Sequence, residues 1–456
     1  MKSPNILFVF LLLFSKTFYS QSIRKNHLEM TETEKINLVN ALYQLRTGPD
    51  LINDLSNFHG NFFSFDNTLD PNGLSIHLNL PDRPENDIFF PWHRQMIFEL
   101  EQAMQDMNPN ITVPYWDSST DQSATSSLWD ENFLGQFNED WNLGRSLGTF
   151  GDLPTPQDVI NVQAETDFLT YSNDVERGPV HTGGHRWTGG VMRTPFSPRD
   201  PIFYFHHNYV DKLWAEWENI HESSSYIRND MLRYNGSYNF GGTTFPIVNP
   251  NNILAPNTLG VFFAENGLAL LENYSVNNTY RALEKFYYQY TIEAGNNFIV
   301  PSGTNCNFES VNEIILKPGF EVSSGGSFLA KIDNQVNRTS INKRGNEIYR
   351  NKIPFDDVGE LQIVAFYNQD YDVFPINIYP NPFSERLNVR FGKNVLSGTI
   401  MIFDLMGKQI KNIPFKNSRY LNIESLAGLE HGVYIMQILD NETKKLIKTT
   451  KLIKIE

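Results

Sequence analysis

The chain has 456 residues, room for about three domains. Its 40% hydrophobic and 13% aromatic content is enough to bury a core. A net charge of −15 argues against nucleic acid as a partner, and a single cysteine, Cys306, excludes a disulfide framework.

Residues 1–20 carry Lys2, a short apolar run (ILFVFLLLF) and a small residue before Gln21, which reads as a secretory signal peptide. No later stretch is apolar for long enough to cross a bilayer, so no transmembrane segment is expected after leader removal. Thr31 and Glu34 form a capping-box pattern ahead of Ile36, Leu38, Val39, Leu42 and Leu45 at helical spacing, and Gly48-Pro49 ends that helix. A second helix is expected over 50–63, with His59 beside the apolar Leu51, Leu55, Phe58 and Phe62. Residues 66–88, rich in Pro, Asn and Asp, read as a loop containing His77. Pro91 then opens a helix with His93, Ile97, Leu100 and Met104 along one side. The polar region 118–178 reads as loops and short helices that wall a site. Asp200 and Pro201 make an N-cap followed by Pro at the first helical position, announcing a helix through His206, His207, Val210, Leu213, Trp214 and Trp217.

Beyond residue 250 the pattern becomes aromatic and β-prone (GVFFAENG, FYYQYTI), and 308–332 alternates apolar and polar positions around Gly turns, suggesting a small β unit. Residues 333–372 look like a charged linker. The C-terminal segment is all short strands (INIYPNP, RLNVRF, GTIMIFDLMGKQI, YLNIESL, GVYIMQIL, KLIKTTKLIKI), expected to make a β-sandwich of ~80 residues. Its lysines contrast with the acidic remainder.

The histidines are not scattered. His181 and His185 stand at i and i+4, so both imidazoles leave one face of a helix. With His59, His77 and His93 upstream and the His206-His207 pair downstream, there are enough imidazoles for two adjacent metal ions with three each. His206 and His207 are about 100° apart on a helix, so one ion can hardly use both. An all-nitrogen, thiolate-free donor set leans toward copper over structural zinc. Each ring also needs an acceptor on its second nitrogen. Asp117 and Asp211 either supply this or cap loop and helix. The two glycines of HTGGH each cost ~1 kcal/mol in a helix, which signals either a close approach or a kink.

FFPWHRQMIFELEQAM, VPYWD, HTGGHRWTGGVM and SPRDPIFYFHHNYVDKLWAEW resemble, in this order, the signatures of the tyrosinase, catechol oxidase and hemocyanin superfamily. The resemblance covers roughly residues 28–250. It implies that His59, His77 and His93 hold a first copper and His181, His185 and His207 a second, with O2 as co-substrate and a small phenol as substrate. His206 is then a packed or supporting residue. His77 and His93 are sixteen residues apart where relatives place the corresponding pair about nine apart, so NLPDRPEND must loop out. Some relatives tie a first-site histidine to a cysteine by a thioether, and no cysteine lies near His77. Such proteins often carry Asn after the first histidine of the second site, held by an upstream Glu, to orient a proton-accepting water. Thr182 and Glu176 occupy these places, which puts monophenol hydroxylation in doubt. Arg186 either steers an anionic phenol or lies on the solvent face. Thr194 falls near the position where plant relatives carry a bulky Phe over the second copper.

YPNPFSERLNV, IFDLMGKQI, LNIESL, GVYIMQI and the basic end resemble the sorting domain of the type IX secretion system of Bacteroidota. The expected organisation is therefore multidomain: a signal peptide (1–20), a mainly α, four-helix-bundle dicopper catalytic domain (21–250), a β-rich extension and linker (251–372), and a sorting domain (373–456) that hands the protein to the type IX secretion machinery. The expected function is that of a secreted dicopper oxidase, tyrosinase- or catechol oxidase-like, which uses O2 to oxidise catechols to o-quinones, with hydroxylation of monophenols left open. A hemocyanin-like O2 carrier and an inactive surface or binding protein are the competing readings.

Overall fold

The computed structural model describes residues 19–48, 50–62, 88–221, 231–234, 246–279, 282–333, 350–355, 376–379, 383–404, 408–424, 428–442 and 445–455, together with 224, 236, 381 and 426. The helical body begins with α1 (Glu32–Thr47), whose Thr31–Glu34 capping box is formed as its sequence indicates. α2 (Leu51–Phe62) follows, then α3 (Phe89–Met107). α3 starts two residues before Pro91, which sits in the first turn, where its missing N–H costs nothing. Short helices α4 (Phe137–Asp140), α5 (Pro156–Gln163) and α6 (Phe168–Arg177) punctuate the polar region. α7 (Pro179–Thr188) carries HTGGH, and α8 (Ile202–His221) carries the histidine pair. The Asp200 carboxylate accepts the Ile202 N–H (3.0 Å) and is clamped by Arg145 (2.6 and 2.7 Å), which fixes the start of α8. Among the described residues, no helix is long and apolar enough to cross a membrane.

α3 and α8 are joined by a buried charge network. Arg94 binds Asp211 (2.6 Å) and lies 3.9 Å above the Trp214 ring, while Arg24 binds Glu101 (3.0 Å) and the Asn208 side chain (2.9 Å). Burying four charges is tolerable only because each is paired and hydrogen-bonded. Arg24 reaches this place from the N-terminal segment. Tyr19–Gln21 pairs in parallel with Leu283–Lys285, and Ile23–Arg24 with Phe262–Phe263, so the strand begins inside the last two residues of the expected leader.

The β-rich extension is a small three-sided solenoid. Three parallel ladders stack successive coils: Leu268, Thr291 and Glu313 in one, Tyr274, Phe298 and Phe320 in another, Glu284, Cys306 and Phe328 in the third. Its interior is an aromatic stack with Phe298 5.7 Å from both Tyr274 and Phe320, and Cys306 is buried within it. The N-terminal strands cover the edge of the first coil, as a solenoid end requires. The alternation seen over 308–332 is thus only part of a repeat that starts some forty residues earlier. Residues 350–355 of the expected linker lie on the helical body.

The C-terminal strands Ile376–Tyr379, Leu387–Phe403, Gln409–Ile423, Gly432–Asp440 and Lys445–Lys454 hydrogen-bond into one antiparallel sheet. The long second strand shifts register between Arg390 and Val395. Leu387, Val389, Phe391, Ile400, Ile402, Met436, Ile438 and Leu452 form its own buried core.

Candidate metal centre

Four helices bring five histidines together. His59 comes from α2, His93 from α3, His181 and His185 from α7, and His207 from α8, and all five are buried. The ring centroids of His59 and His93 are 5.5 Å apart, those of His93 and His207 4.1 Å, His181 and His185 4.7 Å, and His181 and His207 4.9 Å. The upstream pair and the downstream trio therefore meet in one cavity. His77 lies outside the described residues.

The second ring nitrogens are tied to the main chain. Nδ1 of His59 is 2.6 Å from the Pro195 carbonyl, and Nδ1 of His93, His181 and His185 are each 2.7 Å from the carbonyls of Phe89, Glu176 and Met192. A carbonyl only accepts, so each of these Nδ1 atoms carries the proton, and the neutral tautomer with that proton on Nδ1 is the one that leaves the Nε2 lone pair for a metal. Asp117 and Asp211 do not fill this role. Asp211 is spent on Arg94 and Arg24, and Asp117 accepts the Ser119 N–H (3.0 Å) and hydroxyl (2.6 Å) in its own loop.

Nε2 of His185 stands 3.1 Å from Nε2 of His207. Two nitrogens each about 2.0–2.1 Å from a shared ion are separated by roughly that distance. Burial, followed by the neighbouring imidazoles of His93, His181, His185 and His206, pushes the His207 pKa well below its ordinary value, so the ring stays neutral and available as a donor. The donor set fits copper: five buried imidazoles and no thiolate, with the Nδ1–H of His59, His93, His181 and His185 held by main-chain carbonyls.

His206 also lies in this cluster. Ligand atoms of His181, His185, His206 and His207 all fall within 4.8 Å of one another. Its Nε2–H donates to the His181 carbonyl (2.8 Å), and burial, with His185 close by, lowers its pKa to about 3. The ring rests on Gly184, where a Cβ would come within 2.5 Å of it. Gly183 meets the Asp152 carbonyl and Pro154 in the same way, at 3.0 and 3.1 Å. Close approach, not a kink, is what the two glycines serve.

Thr182 is buried and its hydroxyl donates to the Gly178 carbonyl (3.0 Å) within the helix. Glu176 is buried, and its main-chain carbonyl is what holds His181. Arg186 is exposed, with Nε donating to the Phe150 carbonyl (3.1 Å), and Arg193 lies 3.9 Å over the Phe150 ring. Thr194 is half-buried and its hydroxyl donates to the Val191 carbonyl (2.8 Å). Sequence reasoning missed the four orienting carbonyls, which no residue type marks. It also missed Phe89 and Phe203, which pack on His181 (4.8 Å) and His207 (4.2 Å).

The common central domain of tyrosinase matches residues 49–146 and 146–220, and the secretion system C-terminal sorting domain matches 377–454. Tyrosinase of Streptomyces antibioticus is 32% identical over 275 residues, covering 52% of this chain and 92% of that protein. Tyrosinase of Streptomyces glaucescens is 32% identical over 245 residues (45% and 86%), and grixazone synthase of Streptomyces griseus 28% over 267 (44% and 85%). The sorting domain marks the protein for secretion to the cell surface through the type IX system. With a histidine cluster built on four helices and relatives matched along nearly their whole length, the chain belongs to the tyrosinase family, whose members are copper oxidoreductases.

Proposed function

We propose that this protein is a secreted dicopper oxidase that converts catechols to o-quinones. His59, His77 and His93 would hold the first copper and His181, His185 and His207 the second. Copper bound there supplies the redox chemistry, passing electrons from the phenol to O2. In balance, two catechols and one O2 give two o-quinones and two waters. The 3.1 Å approach of the His185 and His207 Nε2 atoms, next to His93 and His59, is the observation that carries this reading.

The chain's own residues divide the remaining work. Main-chain carbonyls hold four imidazoles by Nδ1, and Phe89 and Phe203 pack against the His181 and His207 rings. The Thr182 hydroxyl is committed to its own helix, so it is poorly placed to orient a water as an Asn amide does. Oxidation of diphenols should therefore exceed hydroxylation of monophenols. Arg186, exposed beside Arg193 and Phe150, suits phenols bearing an anionic group. The same proposal includes a four-helix frame of α2, α3, α7 and α8 within a catalytic domain of residues 21–250, an extension over 251–372, and a sandwich-type sorting domain over 373–456.

Copper reconstitution of the full chain, with oxygen uptake measured on a catechol and on tyrosine side by side, tests the reading. Two coppers per chain and faster uptake with the catechol are expected. Fewer than two coppers refutes the dinuclear site. Two coppers without catechol turnover points instead to hemocyanin-like O2 binding.

A further inference from the structure

Residues 350–355, which follow the solenoid in sequence, dock on the helical body. Arg350 forms a bidentate pair with the buried Asp140 carboxylate (2.9 and 3.0 Å), which also accepts the Tyr43 hydroxyl (2.6 Å). The Asn351 amide donates to the Tyr43 carbonyl (2.6 Å), and Arg46 donates to the carbonyls of Ile353 and Pro354 (both 3.1 Å). The Phe355 N–H donates to the Trp141 carbonyl (3.2 Å). Its buried ring is covered by two guanidinium groups, Arg46 at 3.9 Å and Arg199 at 4.8 Å.

Arg199 connects this strap to the metal centre. It closes the short helix Ser197–Arg199 and also lies over the Phe196 ring (5.1 Å). Phe196 is stitched to α2: its carbonyl accepts the Ser56 hydroxyl (2.9 Å), and its ring fills the space beside Gly60, where a Cβ would come within 2.5 Å. The preceding carbonyl, Pro195, accepts the His59 Nδ1–H. The path from strap to imidazole is thus Phe355, Arg199, Phe196, Pro195, His59, each step a contact in the structure.

We propose that Phe355 is a positioning residue for the first metal site: by holding Arg199 it fixes the 195–199 loop whose carbonyl sets the His59 ring. This rests on His59 being a copper ligand, as proposed above. It gives the segment joining the solenoid to the sorting domain a second task, that of buttressing the oxidase centre.

The test uses the full chain carrying Phe355→Ala, Phe355→Leu or Phe355→Tyr. Hydrogen exchange of peptides spanning 194–200 and 56–60 is measured without copper, and the two copper-binding steps are titrated separately. Phe355→Ala should speed exchange in these peptides but not in α7, and weaken one copper step about tenfold while leaving the other unchanged, the size expected when a ligand loses its orienting partner. Phe355→Tyr should restore both, whereas Phe355→Leu, which keeps bulk without a ring face, should not. Unchanged exchange over 194–200 in Phe355→Ala, or equal weakening of both copper steps, overturns the proposal. If the wild-type chain binds fewer than two coppers, the dicopper reading fails, and the exchange measurement alone decides whether the strap fixes the loop.

Discussion

Gly184→Ala sets two effects against each other. In a helix interior alanine should be favoured over glycine by about 1 kcal/mol. Here the new Cβ would sit 2.5 Å from Cε1 and Nδ1 of His206, where carbon contacts settle near 3.5–4.0 Å. His206 must therefore shift by about an ångström, at an overpacking cost of roughly 1–3 kcal/mol. That shift also breaks its hydrogen bond to the His181 carbonyl, about another 1 kcal/mol. The sum favours destabilisation by about 1–3 kcal/mol, the reverse of the propensity. All seven tryptophans lie between Trp92 and Trp217, so fluorescence-monitored urea unfolding of the copper-free chain reports the helical body alone. In a His206→Ala background the clash is gone and the same substitution should become neutral or stabilising, a coupling that a double-mutant cycle reads directly. A Gly184→Ala chain at least as stable as wild type would refute the close-approach argument.

Glu99 offers a pH test. Burial, outweighing the Arg233 guanidinium 2.7 Å away, raises its pKa from 4.5 to about 7. The folded state therefore keeps a proton that the unfolded chain has released, so this contribution is present below about 4.5 and lost as pH rises through about 7, by at most ~1.4 kcal/mol per unit. Glu99→Gln should flatten the stability profile between pH 5 and pH 8 in urea unfolding; an unchanged slope would mean the Arg233 pair dominates. Arg94→Ala leaves Asp211 with only Arg24 at 3.6 Å, and the fluorescence transition should fall by about 3–5 kcal/mol, with Arg94→Met/Asp211→Leu recovering much of it. Removing copper with a chelator should lower the melting temperature of the loaded chain, since ligand at 100 times its Kd adds about 2.7 kcal/mol. A melting temperature indifferent to chelation would argue against copper binding in the folded state.

What could be read from the residues was what is local. The Thr31–Glu34 box, the Asp200 cap and the i, i+4 pair of His181 and His185 each depend on side chains a few positions apart, and each is built as their spacing indicates. The solenoid escaped because its signal lies at 22 to 24 residues, in the recurrence of Tyr274, Phe298 and Phe320, while each strand alone looks like an ordinary β segment. Arg24 escaped because its segment adjoins the leader, where nothing marks a buried ion pair with a helix 77 residues away. Phe355 sits in a charged stretch without periodicity. Its ring is buried by tertiary contact alone.

The orienting shell of the metal centre has a different character, and it bears on where substitutions will be felt. Asp117 and Asp211 were reasonable candidates because carboxylates commonly hold imidazoles. Here four carbonyls do so, from Phe89, Glu176, Met192 and Pro195, and every residue type carries a carbonyl. The side chains at these four positions can change without removing the acceptor. The constraint passes to whatever holds the backbone in place. Two of the carbonyls sit in helices: Phe89 opens α3 one turn before His93, and Glu176 lies in the last turn of α6, just ahead of α7 and His181. The other two, Met192 and Pro195, lie on the connection between α7 and α8, which depends on Phe196 packing on Gly60, on the Ser56 hydroxyl and on Arg199 beneath Phe355. Of the proposed ligands, His59 and His185 should therefore be the most sensitive to distant change, and Gly60→Ala, which puts a Cβ 2.5 Å from the Phe196 ring, should disturb His59 more than any substitution at Asp117. Competition between one and two coppers per chain in Gly60→Ala and Asp117→Asn would show it; equal copper content in the two variants would place the control of His59 elsewhere.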